Sequence, residues 1–85
     1  FSSDHILDFV NLEGDYDIYE VDLPSQWIGM SVGGIDIRKK YGINIIAVRR
    51  NGTLDFSVKP ETSFEEGDTI LVLGQYRDLQ KCFKI

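Results

Sequence analysis

Arg38 and Asn44 are the residues of this 85-residue chain whose types and spacing best suit chemistry. They sit in Asp36-Ile37-Arg38-Lys39-Lys40-Tyr41-Gly42-Ile43-Asn44-Ile45-Ile46, where the end of a helix is expected to meet the start of a strand. Arginine offers a planar fork of donors that matches a phosphate, and asparagine carries a donor and an acceptor on one short side chain. Converging on one point, the two would hold an anion. Ile37, Ile45 and Pro60 would supply an apolar wall for a base beside it, and Asp36 would orient Arg38. Lys59 falls outside this segment and is expected to contribute little. The ordinary alternative is helix, cap and strand, with Arg38 paired to Asp36 or facing water.

Catalysis finds little support elsewhere. His5 is the sole histidine, and no nucleophile elbow lies beside it. Gly29, Gly33 and Gly34 make neither a GxGxxG nor a GxxxxGK[ST] loop. One cysteine and one histidine cannot build a thiolate or imidazole metal site. Asp15, Asp17, Glu20 and Asp22 could hold a hard cation through oxygen, although a solvated acidic edge that resists aggregation is the simpler reading. The chain is therefore read as a non-enzyme with no cofactor of its own.

The elements that must position Arg38 and Asn44 follow from pattern. Residues 1–14 read as a lead-in helix or linker from a preceding domain, capped by Ser2 and Ser3, faced by Ile6, Leu7, Phe9 and Val10, and ended by Gly14. Residues 16–23 alternate as a strand that stops at Pro24, with apolar residues on both faces, as under a dimer contact. Trp27 anchors a loop. Ser31 caps one helix through Tyr41, with Gly42 as its left-handed terminator and Lys39 and Lys40 near its negative end. Gly33-Gly34 in the first turn costs roughly 1 kcal/mol per glycine against alanine, which asks for a reason such as close backbone approach. Residues 43–50 and 53–58 form a hairpin about Asn51-Gly52, the favoured type I′ turn. A short strand over 69–73 and a helix over 76–83, with Tyr76, Leu79, Gln80 and Phe83 on one face, complete the chain. Helices separated by a run of antiparallel strands mean an α+β fold, here a small βαβββα domain over 15–85.

Bulk properties set limits. Eighty-five residues with 42% hydrophobic content make one domain with a thin core, for which pairing with a second copy is a natural aid. Met30 is the only methionine, so the chain is read as a piece of a longer protein or a processed product. The net charge of −5 repels phosphate polymers, and nucleic acid is not expected as a partner. Charge is uneven: residues 1–22 hold seven acids and no Lys or Arg, whereas Arg38, Lys39, Lys40, Arg49 and Arg50 form a basic stretch suited to a small anion. No apolar run reaches the roughly 20 residues of a membrane span, so direct membrane insertion is not expected. The lone Cys82 suits a reducing cytoplasm.

Three blocks of residues carry a resemblance. Trp27-Ile28-Gly29-x-Ser31-Val32, then Asp36-Ile37-Arg38-x-x-Tyr41-Gly42-Ile43-Asn44-Ile45-Ile46-Ala47-Val48, then Pro60 with Phe64-x-x-Gly67-Asp68-x-Ile70-x-Val72-x-Gly74. Together they resemble the C-terminal domain of regulators of potassium conductance, called RCK_C or TrkA-C. The likeness points to the cytosolic regulatory subunit of bacterial Ktr/Trk potassium uptake systems. The resemblance implies a homodimeric βαβββα domain, cytoplasmic and peripheral to the membrane through a potassium channel subunit. It further implies a dimer cleft that binds cyclic di-AMP in some members. Of the pattern associated with that ligand, Asp36, Arg38, Asn44, Ile45 and Ile46 are present, while its leading Ile/Leu pair is Val32-Gly33 here. Two other readings stand beside it: a purely structural dimerisation module, and the same domain in another host such as a cation–proton antiporter or a transcription factor.

Overall fold

The computed structural model describes residues 6–84. Five antiparallel strands form one sheet: β1 (Ile6–Glu13), β2 (Tyr16–Asp22), β3 (Asn44–Arg50), β4 (Thr53–Asp55) and β5 (Thr69–Gln75), in the order β1-β2-β5-β3-β4. Three helices, α1 (Val32–Ile35), α2 (Ile37–Tyr41) and α3 (Tyr76–Phe83), contribute Ile35, Ile37 and Leu79 to the core. From the sheet, Tyr19, Val21, Val48, Ile70 and Val72 meet them, with Trp27 and Phe64 filling the end of the layer. The α+β class and the antiparallel sheet are as expected.

Four local expectations need correction. The lead-in helix is instead a strand: β1 pairs along β2 from Ile6↔Val21 to Glu13↔Tyr16. Its apolar side chains flank the strand on both faces, with the Phe9 ring stacked on Tyr19 at 6.1 Å, and Gly14 makes the turn at φ +61°. Ser2 and Ser3 lie outside the described residues. The single helix from Ser31 to Tyr41 is two helices broken at Asp36, which adopts left-handed φ 56°. Ile35 and Ile37 explain the break. Residues two apart point to opposite sides of a continuous helix, yet here both are buried, at 6% and 3% exposure. Asp is among the few residues that tolerate the left-handed turn. The strand expected over 53–58 ends at Asp55, whose carboxylate accepts the Ser57 N–H at 2.9 Å and turns the chain away, leaving Phe56 exposed. On α3 the core stripe is Tyr76, Leu79, Cys82 and Phe83, and Gln80 faces solvent.

The remaining punctuation behaves as read. Asn51 and Gly52 both take positive φ in the β3–β4 turn, Gly42 ends α2 at φ 72°, and Ser31 Oγ caps α1 by accepting the Gly34 N–H. Trp27 is buried in a 3₁₀ turn over Ser25–Trp27.

Candidate functional site

The break at Asp36 is what builds the site. It redirects the chain so that Ile37 turns into the core and Arg38 stays exposed beside Asn44, the first residue of β3. The opposite wall is the loop from Val58 to Thr62, strapped to α1 by backbone bonds: Val32 N–H to Thr62 O at 2.9 Å and Gly33 N–H to Pro60 O at 2.8 Å. Between them lies an open cleft of about 260 Å³. Asp36, Ile37, Arg38, Asn44, Ile45 and Pro60 all line it. Ile37 gives mostly its core-facing bulk to packing and only an edge to the cleft. Ile46, which also matched the pattern, is not among the lining residues, and the β3–β5 register shifts there between Ile45 and Ala47.

Four lining residues were not assigned to the site from sequence: Val32, Gly33, Val58 and Lys59. Lys59, expected to lie outside, borders the cleft because the early end of β4 folds its loop back over α1. Proximity to Pro60 in sequence was the available signal.

The charges separate cleanly. Of the basic stretch, Arg49 is bound to Glu20 at 2.7 Å, and Arg50 to Asp68 at 2.7 Å and Glu65 at 3.1 Å. These two arginines hold the sheet together and are not available to a ligand. Among the described residues no carboxylate pairs with Arg38, and the expected Asp36–Arg38 contact is not formed. Asp36 contributes its backbone turn instead.

The acidic edge offers less. Asp17 is buried and accepts from Asn11 Nδ2 at 2.7 Å and Tyr19 Oη at 2.9 Å, while Glu20 accepts from Arg49 and Thr69. Both are committed side chains, not part of a solvated fringe. Among the described residues no group of His, Cys, Asp and Glu is arranged to hold a metal ion. His5 lies outside them. A larger groove of about 560 Å³ runs past Asp22, Glu66 and Asp68, but no Lys or Arg lines it, so it does not suit an anion. Among the described residues no helix is long and apolar enough to cross a membrane.

Comparison with known proteins places the fold in a family. The TrkA-C domain model matches residues 18–85. Ktr system potassium uptake protein A of Bacillus subtilis is 26% identical over 80 residues, covering 94% of this chain and 36% of the relative. The chain thus spans about a third of that protein's length. A solved KtrA RCK C domain in complex with cyclic diadenosine monophosphate superposes with TM-score 0.77 and 34% identity over 82% of each chain. The RCK_C domain dimer of Streptococcus agalactiae BusR, also in complex with cyclic di-AMP, gives TM-score 0.65 and 26% identity over 79% of this chain and 95% of that one. With a family model covering most of the chain and a structural match at this identity, the chain belongs to the TrkA-C (RCK_C) domain family.

Proposed function

We propose that this domain is the ligand-sensing part of a potassium-transport regulator, and that two copies bind one cyclic di-AMP in the cleft at Arg38. The observation that carries the reading is the convergence of six residues of suitable chemistry on one cleft whose arginine has no carboxylate partner among the described residues. Arg38 pairs with a phosphate, Asn44 hydrogen-bonds the ligand, and Ile45 and Pro60 flank a base. The ligand has two-fold symmetry, and so has a homodimer, so each phosphate meets one copy of the same residues. The cyclic di-AMP complexes of the KtrA and BusR domains support the choice of ligand. In the full-length protein the domain sits at the cytoplasmic face of the membrane, against a potassium channel subunit whose activity the ligand adjusts.

Calorimetric titration of cyclic di-AMP into the parent and into Arg38→Ala tests this. A charge-assisted arginine bond contributes about 1.5–3 kcal/mol, so the variant should bind roughly ten- to a hundredfold more weakly while remaining a folded dimer. Equal affinity of variant and parent would remove Arg38 from the site.

A second reading, a dimerisation module without a ligand, is favoured by a different observation. Leu7, Phe9, Val10, Leu12 and Tyr16 are exposed together on the β1–β2 hairpin, as at an interface. A dimer that takes up no cyclic di-AMP would select it.

A further inference from the structure

Gly33 and Lys59 are joined by the packing of one turn. An ideal Cβ built on Gly33 would lie 3.0 Å from the Pro60 carbonyl oxygen and 3.1 Å from Pro60 Cβ, while the Gly33 N–H donates to that same oxygen at 2.8 Å. The glycine is therefore what lets the 59–62 turn lie flat on α1. The turn is closed on itself as well: Thr62 N–H donates to Lys59 O at 3.0 Å, and Lys59 N–H donates to Thr62 Oγ1 at 3.0 Å. Its backbone is thus tied down within itself and, through Gly33 and Val32, to α1, while Lys59 is exposed and lines the cleft. Among the described residues no carboxylate pairs with Lys59.

We infer that Lys59 is a second cation of the ligand site, and that Gly33 is the residue that positions it. The inference rests on the reading of the cleft as a cyclic di-AMP site and adds to it. Gly33, where the pattern associated with cyclic di-AMP has Ile or Leu, then makes a wall of a different kind, in which the turn itself closes onto the helix. A ligand in this cleft meets two positive side chains per protomer from two separate segments, α2 and the 59–62 turn, and a dimer would present four to a ligand with two phosphates.

The test is cyclic di-AMP affinity, by calorimetry at several salt concentrations, for the parent, Lys59→Met, Lys59→Arg, Gly33→Val and the double variant Gly33→Val/Lys59→Met. Lys59→Met keeps the aliphatic stem and removes the charge. It should weaken binding about tenfold and flatten the salt dependence, with the unfolding midpoint unchanged. Lys59→Arg should restore most of the affinity. Gly33→Val should displace the turn, so that Lys59→Met adds little in that background, a coupling that a purely structural role for Gly33 would not produce. If Lys59→Met binds within about twofold of the parent while Arg38→Ala loses binding, the inference is wrong and the cleft reading stands. Additive effects of the Gly33 and Lys59 substitutions would overturn the positioning role. A parent that binds no cyclic di-AMP would overturn both.

Discussion

Arg50 and Asp68 show how single residues hold this small domain. The Asp68 side chain is 1% exposed and is bonded by Arg50 at 2.9 and 2.7 Å and by the Glu65 N–H at 2.8 Å. The Arg50 guanidinium keeps the Asp68 carboxyl below its ordinary range despite burial, which pushes the other way. Glu20 is lowered similarly by Arg49. A carboxylate whose folded pKa is depressed stabilises the fold above its unfolded value, and that contribution is lost as pH falls through the folded value. The unfolding midpoint should therefore hold steady above about pH 5 and fall below about pH 4. Arg50→Met should cost roughly 2–3 kcal/mol at pH 7, less than for a fully buried pair because Arg50 is partly exposed and the Glu65 amide remains. The difference from the parent should shrink as Asp68 protonates in acid, and denaturant titrations at pH 7 and pH 3 would check it. Cys82 gives a second residue-scale expectation. Burial pushes its thiol up to about 11. At pH 8 alkylation should be about a hundredfold slower in the native domain than in the denatured chain, and equal rates would contradict its packing against the core.

At the scale of elements, the sequence was legible where local chemistry decides. Asn51-Gly52 specified its turn because both positions require positive φ, and the structure has 55° and 78° there. Gly52→Val should cost roughly 1–3 kcal/mol through backbone strain. Measured stability unchanged by that substitution would contradict the turn. Ser31, Gly42 and Trp27 were legible for similar local reasons. The misread elements are those where packing overrules pattern. Ile6, Leu7, Phe9 and Val10 fit a helical face, but β2 offers an edge to pair with, and that long-range partner is invisible in a local window. The helix break at Asp36 follows from the need to bury both Ile35 and Ile37. Asp36→Gly should preserve the fold, whereas Asp36→Val should destabilise it by about 1–2 kcal/mol, because a β-branched side chain resists the left-handed turn. Circular dichroism melts of the two variants would separate these outcomes. The lining of the candidate cleft was legible for a related reason. Asp36 to Ile45 are local in sequence and Pro60 was picked out as an apolar wall, whereas Lys59 and Gly33 entered through tertiary contacts of one loop.

For the whole molecule, the architecture is a single sheet with its described helices contributing to one core and its cleft open at the surface. A domain of 85 residues with Leu7, Phe9, Val10 and Leu12 exposed along an edge strand gains from association. Sedimentation at micromolar concentration is expected to give twice the chain mass, and a monomer persisting to high concentration would contradict the dimer. Under the proposed function symmetry would link assembly to function, because a cleft that took one phosphate per protomer would be half a site for a ligand with two. The most direct test is the stoichiometry of cyclic di-AMP binding to the parent domain, measured by calorimetry with the chain concentration fixed independently. One ligand per two chains is expected, whereas one ligand per chain, or no binding, would overturn a cleft shared across the dimer.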